Sequence, residues 1–199
     1  MTFRSPATAG RLLLALLLLL TTSAMARADG LFTPFWGWDF GGDAGDCRSL
    51  TPCDPKQTTF GASLAFMVGG IVGIEGDFGY APHFFGEGNA LSDNHVITAM
   101  GNLLIGAPIG PVRPYVVGGI GVVHTDINAS SVGLYNAFTN NAFAFDAGGG
   151  IMVFFADHVG ARGDLRYVRT FDKIQFAPLQ LNNVALQFWR GTIGLTLRF

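Results

Sequence analysis

The chain reads as all-β, an eight-stranded antiparallel transmembrane up-and-down β-barrel preceded by a cleaved signal peptide. Three observations lead there: an export signal at the start, period-two alternation along the rest, and connections that alternate between short and long.

Arg4 and Arg11 precede the apolar run Leu12 to Leu20, and the small-residue stretch Thr21 to Ala28 follows it. A basic start, an apolar centre and a small-residue end form a secretory signal. The small-x-small rule fits cleavage after Ala26 or after Ala28, and the second is preferred because it exposes polar Asp29 and Gly30. A membrane-anchoring helix is the competing reading, but the run is far shorter than the ~20 residues a helix needs to span a bilayer. The expected organisation is therefore signal peptide over 1–28 and one barrel domain over 29–199.

Removing residues 1–28 also removes Arg4, Arg11 and Arg27, leaving nine basic against fourteen acidic residues, a formal charge of −5. No basic face remains for a nucleic-acid partner. Charged residues make up 13% of the chain, about half the usual share of a water-soluble domain. Mean hydropathy is nevertheless positive. A wall that turns apolar side chains towards lipid reconciles the two.

Alternation places strands near Leu31 to Gly42, Thr58 to Val68, Ile71 to Ala81, Val96 to Ile105, Val112 to Asp126, Ala142 to Phe155, His158 to Phe171 and Ala185 to Phe199. Asp43 to Gln57, Pro82 to His95, Ile127 to Asn141 and Asp172 to Val184 are long polar connections. Gly69-Gly70, Gly106 to Pro111 and Ala156-Asp157 are short ones. Short turns at one end and long loops at the other suit a bacterial transmembrane barrel, with the loops outside.

Parity gives the facing. Val72, Ile74, Phe78 and Tyr80 oppose Glu75 and Asp77; Leu165 and Tyr167 oppose Arg162, Asp164 and Arg166; Trp189, Ile193, Leu195, Leu197 and Phe199 alternate with Arg190, Thr192, Thr196 and Arg198. Apolar residues outward and charges inward reverse the order of a soluble barrel, and lipid is the solvent that favours it. Trp36, Trp38, Phe40, Phe60, Tyr80, Tyr115, Phe154, Phe155, Tyr167 and Trp189 are expected to form interfacial girdles, against a plainer reading in which they fill a core.

The runs Ile74-Glu75-Gly76-Asp77-Phe78-Gly79-Tyr80, Val112 to Gly121, Arg162-Gly163-Asp164-Leu165-Arg166-Tyr167 and the terminal Phe199, in this order behind a signal, resemble the small outer-membrane β-barrel domains, the OmpA-like and OmpX-like eight-stranded group. The resemblance spans essentially the whole processed chain. It implies that Phe199, with Leu197, Leu195 and Ile193 behind it, is an assembly signal read by the barrel-assembly machinery. It also implies a cell outer membrane location reached through the periplasm, among outer-membrane lipids and lipopolysaccharide, as a monomer.

The candidate site is the inward charge set Glu75, Asp77, Arg162, Asp164, Arg166 and Arg190, joined by Asp39 and Asp146. In a narrow barrel these charges pair with one another and fill the interior; the functional reading is a narrow porin-like path for ions or small solutes. Cys47 and Cys53 lie in one loop, and an oxidising periplasm favours a disulfide, with metal ligation or free thiols as alternatives. His124, Asp126, Ser130 and Ser131 invite comparison with lipid A-modifying outer-membrane enzymes, but lack their motifs, and Ser and Asp are ordinary loop residues. His83 and His95 read as rim residues rather than metal ligands. No catalytic residue, cofactor or metal is expected, and the anticipated role is non-catalytic, structural or surface-recognising, through the loops.

Overall fold

The computed structural model describes residues 28–42, 56–84, 91–131, 134–171 and 185–199. They form eight strands: β1 (Ala28–Phe40), β2 (Lys56–Val68), β3 (Val72–Pro82), β4 (Leu91–Gly106), β5 (Val112–Ser131), β6 (Leu134–Ala156), β7 (Val159–Thr170) and β8 (Gln187–Arg198). Each pairs antiparallel with its sequence neighbour, and β1 pairs with β8, so the sheet closes into a barrel. Closure leaves no sheet edge along the wall, the condition a β-structure must meet in lipid.

Local chemistry sets the turns. Gly69 and Gly70 both have positive φ (59° and 71°), and the Ile71 amide donates to the Val68 carbonyl at 3.0 Å. Paired positive φ values make a turn whose twist matches the strands it joins. Gly41 and Gly42, expected inside the first strand, also have positive φ and turn the chain away after Phe40.

The largest departure from the expected layout lies between the fifth and sixth strands. Ile127 to Asn141, read as a long loop, is mostly paired strand: β5 and β6 continue as a hairpin until Ser131 meets Leu134. Antiparallel pairing satisfies backbone groups whatever the side chains are, so Asn and Ser, which read as loop, do not end a strand whose partner continues. The fourth strand likewise starts at Leu91 rather than Val96.

Facing follows the alternation. Phe32, Trp36, Leu64, Ile74, Phe78, Leu103, Val116, Ile120, Leu165 and Ile193 lie on the outside and are exposed, while Asp39, Glu75, Arg162, Arg166 and Arg190 are buried inside. Two expected girdle members point inward instead. Tyr115 is buried, and Phe154 packs against the lumen beneath the guanidiniums of Arg113 and Arg198. Both share the parity of inward neighbours, Tyr115 with Arg113 and Val117, and Phe154 with Met152. The polar handle of Tyr115 is used inside, where a hydroxyl finds partners.

Of the remaining rings, Phe155 is exposed beside the short turn after β6, and the others lie outside towards the long-loop end. Trp36 and Trp38 touch, as do Phe60 and Tyr80, Tyr167 and Trp189, and Phe145 with both Tyr167 and Phe171.

Candidate functional site

The lumen is stratified. Near the long-loop end Ala81, Phe84, Val96, Met100, Val123, Val168, Leu186 and Phe188 pack into one apolar layer, and near the short-turn end Leu31, Ala65, Met67, Leu104, Tyr115, Val117 and Met152 form another. The eight charges singled out from sequence lie between them. Phe84 and Phe188 meet edge-on in the upper layer, centroids 4.9 Å apart.

Within the charged layer Arg162 reaches four partners. Its Nε donates to the Tyr115 hydroxyl at 2.6 Å, Nη1 to Ser63 Oγ at 3.2 Å and to Glu75, and Nη2 to Asp164 Oδ2 at 2.8 Å. Arg166 donates from Nε to Asp164 Oδ1 at 2.8 Å, from Nη2 to Glu75 Oε1 at 2.7 Å, and from Nη1 to Asp146 Oδ2 at 3.3 Å. Tyr115 in turn donates its hydroxyl to Asp164. Planar guanidiniums with fixed N–H directions suit this bridging, which a lysine could not reproduce.

A second unit lies nearer the long loops. Arg190 grips Asp39 with two bonds, Nε to Oδ1 at 2.8 Å and Nη2 to Oδ2 at 3.2 Å, and donates from Nη1 to Thr98 Oγ1 at 2.7 Å. Gly79 makes the reach possible, because a Cβ there would run into Arg190 Nη1 and Thr98 Oγ1. A third unit closes the short-turn end, where Arg113 pairs with Asp29 at 3.1 Å.

Asp77 stands apart from the tight pairs. Arg166 Nη1 is 3.8 Å from its carboxylate, and it lines a cavity of about 10 Å³ shared with Ser63, Thr33 and Thr192. That volume is about enough for one water. Among the described residues the layer is packed by charge pairs.

The structure thus brings together all eight charges singled out from sequence, in two clusters rather than one. It adds Tyr115, Ser63, Asn102 and Thr98, whose inward parity was legible, and the pair Arg113 with Asp29, whose partners lie 84 residues apart. The predicted assembly residues Ile193, Leu195 and Leu197 face outward, and Phe199 exchanges backbone bonds with Gly30 at 3.0 and 2.9 Å. Cys47 and Cys53 lie outside the described residues, as do residues 1–27 of the expected signal peptide.

Of the rim residues, His95 and His124 converge on Asp126, and His83 has positive φ (51°) with its amide donating to the Asn94 carbonyl. The side chains of Ser130 and Ser131 lie outside the described residues. Among the described residues no group of three or more His, Cys, Asp and Glu is arranged to hold a metal ion.

A closed antiparallel barrel, greasy outside and ion-paired inside, defines the class of integral outer-membrane β-barrels. The chain belongs to the family described as "Outer membrane protein beta-barrel domain", whose model matches residues 12–199. Its fold is similar to solved barrels of low sequence identity. Neisserial surface protein A matches at 10% identity and TM-score 0.58, covering 85% of this chain and 95% of that one. OprG from Pseudomonas aeruginosa matches at 16% identity and TM-score 0.54, covering 86% and 96%. Ail of Yersinia pestis matches at 14% identity and TM-score 0.53, covering 86% and 98%. A search of curated proteins finds no match.

Proposed function

We propose that this barrel is a non-catalytic element of the outer membrane that anchors a recognition surface, with its short turns in the periplasm and its long connections at the cell surface. The observation that carries the reading is the stratified lumen: two apolar layers enclose a charged layer whose arginines are spent on protein carboxylates. A conducting pore needs a polar path from end to end, and the Phe84 and Phe188 layer interrupts it.

The β5–β6 hairpin supports the surface role. It runs past Thr170, the last β7 residue, whose partner is Ala144, while β4 stays paired to it up to Leu91 opposite Ala129, and so carries a hydrogen-bonded sheet of three strands beyond the end of β7. Recognition residues on an ordered scaffold lose less entropy on binding than those on a free loop.

Reconstitution in a planar bilayer tests this reading. The wild-type barrel is expected to give no discrete conductance steps, whereas replacing Phe84 and Phe188 together by Gly opens the upper layer and raises the leak. Wild-type steps that vanish when Arg162 is replaced would make the protein a narrow channel instead.

A further inference from the structure

The three-stranded extension leaves the wall at one rung. Thr170, the last residue of β7, pairs with Ala144, and the Phe171 amide donates to the Phe143 carbonyl at 2.7 Å. The next outward residue of β6 is Asn141, directly opposite His124 on β5, while His95 on β4 stands opposite Asp126. These four follow the outward apolar series, which ends with Ile97, Val122 and Phe143. They lie at the root of the extension, past the lipid-facing wall.

His124 links the strands there. Its Nδ1 lies 2.6 Å from Asn141 Oδ1 and its Nε2 lies 3.1 Å from Asp126 Oδ2. Two acceptors give the doubly protonated ring a partner for each N–H. The neutral ring has only one N–H. Kept on Nδ1, it leaves a bare Nε2 facing a carboxylate oxygen; moved to Nε2, it keeps the Asn141 contact only if that amide turns over. The bond to Asn141 raises the His124 pKa above its ordinary value, burial opposes this more weakly, and the Asp126 carboxylate raises it further.

Among the described side chains, the charged or titratable groups around this ring are Asp126 on β5 and His95 on β4, whose Nε2 approaches the same Asp126 oxygen at 3.6 Å. Tyr80 of β3 stacks on the far side of His95 at 5.5 Å. From β6 the ring meets Asn141, which does not titrate.

We propose that His124 is a pH-sensitive latch at the root of the β4–β5–β6 extension, closed when its ring is protonated and released when the ring is neutral. A histidine whose pKa is raised in the closed state contributes fully below its ordinary value of about 6.5 and loses that contribution as pH rises through the raised value. The extension is therefore held more tightly at mildly acid pH than at alkaline pH. Its strands stay paired in both conditions, and what changes is how often the rungs beyond His124 open. The latch concerns the order of the extension and does not depend on what the extension binds.

Hydrogen–deuterium exchange of the full-length barrel in phospholipid nanodiscs tests this at about pH 5 and about pH 8, on either side of the histidine titration. Exchange of the amides of residues 125–141 is divided by that of His124→Gln at the same pH, which cancels the intrinsic pH dependence of exchange. At the lower pH the wild type is expected to exchange about two- to fivefold more slowly than the variant, the range an exposed ion pair supports. At the higher pH the two are expected to match. His95→Gln is expected to keep the wild-type pH difference. Equal ratios at the two pH values overturn the proposal, and so does a pH difference that disappears in His95→Gln. Should His124→Gln not fold, an NMR titration of the wild type decides: the His124 midpoint is expected above about 6.5, and a midpoint at or below it overturns the latch.

Discussion

Arg166 Nη2 lies 2.7 Å from Glu75 Oε1, joining two side chains 91 residues apart in the chain. They belong to β7 and β3, strands that share no ladder and meet only across the lumen. Glu75 also takes a bond from Arg162, so one carboxylate ties together two guanidiniums that would otherwise repel.

Replacing Glu75 by Leu should therefore destabilise the barrel strongly. Removing one member of a buried ion pair leaves an uncompensated charge and costs about 3–5 kcal/mol. Unfolding in urea after reconstitution measures it, and a loss below about 1 kcal/mol would show that the lumen hydrates when Glu75 is removed.

Gly79 offers a second probe of the same physics. In Gly79→Val the new side chain occupies the space of the Arg190 guanidinium, which must leave Asp39 and Thr98. Stability should fall by an amount similar to Arg190→Ala. Combining the two replacements should cost much less than the sum, because the pair is already broken.

The outward face is tested by Ile193→Arg. Ile193 is 58% exposed at the middle of β8, with Thr192 and Gly194 facing the lumen on either side. An arginine on the lipid face near the midplane costs about 2–4 kcal/mol. Folded, heat-modifiable material should fall when folding into phospholipid vesicles is followed on gels, while Thr192→Ser should leave the yield unchanged.

Topology can be read on whole cells. An epitope inserted between Val132 and Gly133, in the segment joining β5 to β6, should be labelled by antibody without permeabilisation. The same epitope between Gly69 and Gly70, in a short turn, should be labelled only after the outer membrane is opened. The opposite pattern would invert the barrel.

Much of this was legible because a strand in lipid obeys a two-residue rule. Glu75 and Asp77 opposite Ile74 and Phe78, or Arg190 opposite Trp189, declare their faces by parity alone. Tyr115 and Phe154 were misread because aromatic type was weighed above parity; counting from Arg113 and Met152 assigns both inward. The β5–β6 extension was missed for a different reason. Beyond the apolar band nothing demands alternation, and residues such as Asn128 and Ser130 carry no signal that their backbones are paired.

Strand number follows from the succession of alternating segments and turns along the chain, and the facing of each strand, with the solvent each face meets, follows from parity between neighbours on that strand. Which charge meets which emerges only from the closed barrel. Arg162 and Arg166 share Glu75, Arg190 turns to Asp39, and His95 meets Asp126, because closure and register bring distant strands to one level, and neither register nor closure is a property of any single strand.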